Sequence, residues 1–78
     1  MSTLEQYNDI FIEVFEVNPE QLESLVYQCI PAWDSVGHMT MITQIEDTFD
    51  IMIDAEDIIE FSSWRKGMDI LRKYDVSI

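Results

Sequence analysis

The sequence predicts an all-α fold, a small four-helix bundle with three longer helices, one short helix, and a long loop between helices 1 and 2. The chain has 78 residues, which is enough for a single domain over residues 1–78. Apolar residues recur at helical spacing in three segments, and no two segments alternate in the way that paired strands do. Ser, Thr, Asn or Asp residues precede the helical segments, as is typical of helix starts. We expect this domain to be a monomer.

Helix 1 is predicted to start after Ser2 or Thr3 and to end near Val17. It ends there because Pro19 disfavours helical geometry at Asn18. The predicted apolar face consists of Leu4, Tyr7, Phe11 and Val14.

Residues 18–33 form a long connection, in which Asn18 and Pro19 can start a short helical turn. Four apolar residues should hold this connection on the core: Leu22, Leu25, Ile30 and Trp33. Long loops in compact domains are often functional, so the segment leading into helix 2 is of particular interest.

Helix 2 is predicted to begin at Asp34 or Ser35 and to run to about Asp50. One face forms a core stripe of His38, Met41, Ile42, Ile45 and Phe49. We place His38 at the rim of this stripe, against Trp33. The opposite face is mostly polar and begins with an exposed valine; it contains Val36, Thr40, Thr43 and Asp47.

The remaining chain predicts an extended connection and two further helices. Ile51 and Ile53 should pack inward before Asp54, which can cap the short helix 3. Ser62 or Ser63 can cap helix 4. The predicted core residues of these helices are Ile58, Phe61, Trp64, Met68, Ile70, Leu71 and Tyr74.

The charge distribution excludes several classes of partner. Sixteen acidic residues stand against four basic ones, the net charge is -12, and residues 1–64 contain neither Lys nor Arg. Such a surface repels nucleic acids and anionic membranes and attracts basic protein surfaces. The N-terminal segment lacks the features of a signal peptide, and no apolar run approaches the roughly 20 residues of a membrane span. We therefore expect a cytoplasmic protein that neither binds nucleic acid nor inserts into membranes.

Metal sites and catalytic sites find little support in the residue pattern. Cys29 is a single thiol with no zinc-binding partner pattern around it. The acidic segment from Asp47 to Asp57 lacks the ligand spacing and the central glycine of a calcium-binding loop. A triad of Ser35, His38 and an acid can be drawn, but nothing in the pattern predicts an oxyanion hole or a substrate pocket. We expect no metal site and no enzymatic activity.

One stretch, "DSVGHMTMITQIEDTFDIMID", resembles the phosphopantetheine attachment region of acyl carrier and peptidyl carrier proteins. That family places an Asp-Ser-aliphatic motif at the start of its second helix, followed by an aliphatic helix with an acidic tail. The matching residues here are Asp34, Ser35, Val36, Ile42, Ile45, Glu46, Asp47, Phe49 and Ile53. The likeness extends over the whole chain in helix order, long first loop, length and acidity.

The resemblance implies that Ser35 receives a covalent 4'-phosphopantetheine arm from coenzyme A, by the action of a magnesium-dependent phosphopantetheinyl transferase. The arm would carry acyl or aminoacyl groups as thioesters. Further implied partners are an acyl- or aminoacyl-loading ligase and downstream synthase, transferase or thioesterase enzymes. The residues expected to contact partners are Asp34, Val36, Thr40, Thr43, Gln44, Asp47 and Ile53.

Two departures from the family pattern bear on the pathway. Carriers of fatty acid synthesis usually have acids where this chain has Gly37 and Thr40. The run from Trp33 to His38 is more similar to stand-alone carriers of dedicated polyketide, non-ribosomal peptide or related pathways. The glycine also suggests that some group closely approaches the backbone after Ser35. An acidic helical interaction module without a prosthetic group stays open as the alternative function.

Overall fold

The part of the chain that the structure describes is mostly helical. The computed structural model describes residues 2–78 and has four α-helices, named α1 to α4, and one 3₁₀ helix. Their bounds are Thr3–Phe15 for α1, Pro19–Ser24 for the 3₁₀ helix, Ser35–Phe49 for α2, Ala55–Glu60 for α3 and Trp64–Arg72 for α4. Residues 2–78 contain no strand, only an isolated antiparallel bridge between Val26 and Ser63. The prediction of an all-α fold is confirmed.

Side-chain caps explain where three of the α-helices begin. At each start a side-chain oxygen accepts a bond from a backbone N–H three residues on, which is one of the N–H groups that a helix leaves unpaired. The pairs are Ser2 with Glu5 (3.1 Å), Asp34 with Gly37 (2.8 Å) and Ser63 with Lys66 (2.9 Å). Asp54 precedes α3 as predicted, but its side chain makes no capping bond.

Helix α1 ends two residues before the predicted limit at Val17. Glu16 takes a left-handed backbone conformation with φ 52°, which stops the helix. The segment that follows is partly helical, because Pro19 occupies the first position of the 3₁₀ helix and Gln21 Oε1 accepts a bond from the Asn18 N–H at 2.8 Å. The connection between α1 and α2 therefore consists of residues 16–18, this short helix, and an irregular segment over residues 25–34.

The buried face of α1 differs from the predicted face. Leu4 is exposed and Val14 is half-buried, whereas Ile10 and Phe15 lie in the core with Tyr7 and Phe11. The helix therefore turns its aromatic side toward the other helices. The rings of Phe11 and Phe15 contact the ring of Trp33, which is wholly buried.

Two backbone hydrogen bonds fix the irregular segment that leads to α2. The Tyr27 N–H donates to the Ser62 carbonyl at 2.8 Å, and the Trp64 N–H donates to the Leu25 carbonyl at 3.1 Å. These bonds hold the segment against the connection between α3 and α4. As a result, the Tyr27 side chain lies beside the start of α2.

Candidate functional site

Ser35 is the first residue of α2, and its side chain is exposed. The Asp34 carboxylate accepts a hydrogen bond from the Gly37 N–H. The N–H groups of Ser35 and Val36 have no acceptor within the helix, because they lie in its first turn. This end of the helix also carries the positive pole of the helix dipole. The Ser35 Oγ lies 3.4 Å from the Tyr27 hydroxyl. The site thus presents a hydroxyl to solvent, beside two unpaired backbone N–H groups on one side and the Asp34 carboxylate on the other.

Gly37 is required by a contact within the chain. A Cβ atom at this position would overlap the carbonyl oxygen of Ala32 and would press against the Phe15 ring. The group that approaches the backbone after Ser35 is therefore the Ala32 peptide. This packing sets the angle at which the irregular segment enters α2.

His38 lies against Trp33, as predicted, and both of its ring nitrogens are engaged. Its Nδ1 accepts from the Trp33 indole N–H at 2.9 Å, and its Nε2 lies 2.7 Å from the carbonyl oxygen of Ile58. The indole nitrogen is only a donor, so Nδ1 is the acceptor and Nε2 carries the proton. Neither nitrogen is directed to Ser35. The geometry therefore does not support the hypothetical hydrolase triad.

A groove of about 320 Å³ opens directly beside Ser35. Tyr27, His38 and Met39 form one side of it, and α3 with the residues that follow forms the other side. The lining from that second side consists of Ile58, Ile59, Phe61 and Ser62. Ile59 is 81% exposed, so this groove is bordered by apolar surface that faces solvent. The groove is open, which makes it accessible to a group attached at Ser35.

Most of the predicted partner-binding residues lie on the exposed side of α2. Asp34, Val36, Thr40, Thr43, Gln44 and Asp47 are all exposed, and Val36 is 75% exposed. The hydroxyl groups of Thr40 and Thr43 donate to the carbonyl groups of Val36 and Met39, each at 2.9 Å. These two hydroxyl groups therefore donate their protons within the helix. Their oxygens can still accept hydrogen bonds from an approaching partner.

Ile53 does not belong to this surface. The expectation that it contacts partners is wrong, because it is only 6% exposed and packs in the core. The expectation from the apolar pattern that Ile53 packs inward is confirmed. Its N–H donates to the Glu46 carboxylate at 2.9 Å, which turns this residue inward and leaves Met52 exposed instead. Met52 is the apolar side chain that this connection presents to solvent.

Three of the four basic residues pair with acids of the same chain. Arg65 Nη2 lies 3.9 Å from Glu23, Arg72 Nη1 lies 2.7 Å from Asp69, and Lys73 Nζ lies 2.7 Å from Asp57. Over residues 2–78, no three His, Cys, Asp or Glu residues are grouped to hold a metal ion. None of the helices in this same range has the length and apolar character to cross a membrane.

A buried carboxylate anchors α3, and the sequence pattern gave no indication of it. Asp57 is only 6% exposed and accepts hydrogen bonds from Lys73 Nζ at 2.7 Å and from the Tyr74 hydroxyl at 2.6 Å. The Tyr74 hydroxyl in turn accepts from the Asp54 N–H at 2.9 Å. These bonds join Asp54 and Asp57, at the start of α3, to Lys73 and Tyr74, which follow α4. Helix α3, which contributes to the groove beside Ser35, is thereby bonded to the C-terminal segment.

The hydrogen bonds from Lys73 and Tyr74 hold the pKa of Asp57 below its ordinary value. A group whose pKa is lowered by folding stabilises the fold above its unfolded pKa and loses this effect as the pH falls through the folded pKa. We therefore expect the free energy of unfolding to decrease as the pH falls below about 4, and Asp57→Asn to show a smaller decrease. Urea denaturation at pH values from neutral to acid measures both curves.

The matched control is Glu56→Gln, which removes an exposed carboxylate of the same helix. It should keep the acid dependence of the wild type. An unchanged acid dependence in Asp57→Asn would contradict a stabilising role for this carboxylate.

Comparison with known proteins returned no match among family models, curated proteins or solved structures.

Proposed function

We propose that this protein is a stand-alone acyl carrier, in which Ser35 bears a 4'-phosphopantetheine arm that holds acyl or aminoacyl groups as thioesters. The observation that carries the proposal is the exposed Ser35 hydroxyl at the first position of α2, within the Asp-Ser-aliphatic motif. In this proposal the four α-helices correspond to the carrier family's four-helix bundle. The 3₁₀ helix then lies inside the long first connection of that bundle.

The residues present fit the group. A phosphodiester at Ser35 would be favoured by the N–H groups of Ser35 and Val36 and by the positive pole of α2. When attached, the arm supplies a terminal thiol that holds cargo as a thioester. In the attachment, the Ser35 hydroxyl oxygen would bond to the phosphorus of the phosphopantetheine half of coenzyme A, adenosine bisphosphate would leave, and the hydroxyl proton would pass to a base on the transferase.

Charge supports protein partners with basic docking surfaces. The first 64 residues carry no Lys or Arg, and the exposed side of α2 contributes Asp34 and Asp47 beside the apolar Val36. Acidic and basic surfaces accelerate encounter and favour the correct partner. We assign this side of α2 to a transferase, a loading ligase and downstream synthase, transferase or thioesterase enzymes of a dedicated pathway in the cytoplasm.

The decisive experiment is modification by a broad-specificity phosphopantetheinyl transferase with coenzyme A and magnesium, followed by intact mass. We expect wild type to gain one phosphopantetheine group and Ser35→Ala to gain none. Ser62→Ala is the matched control, because Ser62 is an exposed serine on the other side of the same groove and should leave modification unchanged.

The main competing function is an acidic interaction module without a prosthetic group, which the net charge of -12 favours. That function predicts no mass gain in wild type and partner binding that is unaffected by Ser35→Ala. Modification of wild type that persists in Ser35→Ala would also refute the assignment of Ser35.

A further inference from the structure

The His38 ring lines the groove beside Ser35 and has aromatic neighbours on both sides. On the side of the irregular segment, the ring meets Tyr27 edge-on with centroids 5.3 Å apart, and it stacks on Trp33 with centroids 6.2 Å apart. On the side of α3 it lies edge-on to Phe61, again at 6.2 Å. The ring is half-buried, so one part faces the groove and the other part faces the core.

The core behind His38 is filled with aromatic rings. Trp33 stacks on Phe15 at 4.8 Å and meets Phe11 edge-on at 5.6 Å, and Phe11 stacks on Phe61 at 6.2 Å. All four of these side chains are at most 2% exposed. His38 therefore separates an open, partly apolar groove from a close-packed apolar interior.

The two hydrogen bonds of His38 also join the elements that surround the groove. Ile58 belongs to the last turn of the six-residue α3, where backbone carbonyl groups have no intrahelical partner. The Nε2 proton of His38 satisfies this carbonyl, while Nδ1 satisfies the buried indole N–H of Trp33. Breaking the hydrogen bond between Trp33 and His38 leaves the buried indole N–H of Trp33 without an acceptor, which lowers the stability of the fold. His38 thus links the last turn of α3 to Trp33 beside the groove.

We propose that His38 determines which acyl groups this carrier accommodates, by blocking the way from the open groove to the core, so that the cargo stays short and at the surface. This inference rests on the proposed carrier function for its cargo, but the block itself is a property of the unmodified chain. With the block in place, an acyl group on the Ser35 arm contacts Met39 and Ile59 at the groove. A longer chain extends into solvent, because the His38 ring blocks the path toward Trp33.

The first measurement uses unmodified protein, so it does not depend on the arm. Dissolved S-octanoyl-N-acetylcysteamine is added to wild type, His38→Gln and His38→Ala, and NMR follows the Trp33 indole N–H and the Phe11 ring, both of which lie in the core and do not line the groove. A glutamine amide can accept from Trp33 and donate to Ile58, so His38→Gln should respond as wild type does, with small changes. His38→Ala should show large, saturable changes at both residues.

The second measurement uses acetyl, butyryl and octanoyl groups attached through the arm, and follows thioester cleavage by hydroxylamine. In wild type and His38→Gln, the three groups should be cleaved at similar rates. In His38→Ala the octanoyl thioester should be cleaved at least about tenfold more slowly, the effect of withdrawing roughly two methylene groups from water. If His38→Ala does not fold, His38→Asn replaces it, because its shorter amide cannot reach both partners.

Slow cleavage of the octanoyl thioester in wild type would overturn the proposal. Equal cleavage rates of the three thioesters in His38→Ala would overturn it as well. If the proposed carrier function is wrong, the experiments give a different result. In that case no variant gains an arm, and the response of unmodified His38→Ala to the dissolved thioester alone decides whether His38 blocks the way to the core.

Discussion

Trp33→Ala is expected to leave most of the protein unfolded at 25 °C. Trp33 is wholly buried among the rings of Phe11 and Phe15, and its indole N–H is bonded to His38. Truncating a buried tryptophan costs about 3–5 kcal/mol. A single core in a chain of this size rarely supplies more than about 3–5 kcal/mol of net stability. The loss therefore matches the whole stability of the fold, and urea denaturation followed by circular dichroism measures it.

Trp33→Phe and Val36→Ala serve as controls for this prediction. The phenylalanine keeps part of the ring packing but removes the N–H donor, so we expect an intermediate loss. Val36 is exposed, and its truncation should change the free energy of unfolding by less than about 0.5 kcal/mol. A folded Trp33→Ala with a normal denaturation midpoint would show that the aromatic cluster is not the main source of stability.

Gly67→Ala is expected to destabilise the fold by about 1–3 kcal/mol, the usual cost of overfilling a packed core. A Cβ atom at this position of α4 would overlap the Phe61 ring and the Tyr7 hydroxyl. Both side chains are fully buried, and the Tyr7 hydroxyl donates to the Trp64 carbonyl at 2.6 Å, so neither has free space to move into. Thermal unfolding measures the change, at about 4–8 °C for each kcal/mol in a domain of this size.

The sign of the change in melting temperature shows whether packing or helix propensity dominates at position 67. With free space at position 67, alanine would stabilise α4 by about 1 kcal/mol relative to glycine. A rise in the melting temperature would therefore contradict the close contact with Phe61 and Tyr7. Lys66→Ala, at the exposed neighbouring position, is the matched control and should leave the melting temperature nearly unchanged.

The start of α2 could be predicted from the sequence because its determinants are local. The cap, the first helical residue and the buried stripe are set by residues within a few positions of one another, from Asp34 to Ile45. The exposure of Ser35 follows from its position in the first turn on the polar side. Local rules of this kind need no knowledge of the remaining chain.

Other features depend on residues that are distant in the sequence. The bond from His38 to Ile58 spans 20 residues, and the bond from Tyr74 to Asp57 spans 17. Asp57 was one of 16 acids, and no sequence spacing distinguished it from the solvated ones. Such pairings arise only when the helices pack.

The fit of Gly37 against the Ala32 carbonyl limits how the protein can be engineered. A combinatorial library aimed at new partner enzymes can vary the exposed positions 36, 40, 43, 44 and 47 without disturbing the interior. Position 37 lies among them, yet every side chain larger than hydrogen would displace the peptide of residue 32 and, with it, the loop that carries Tyr27. Randomising that position would therefore select for folding, and the enriched sequences would contain no information about partner choice.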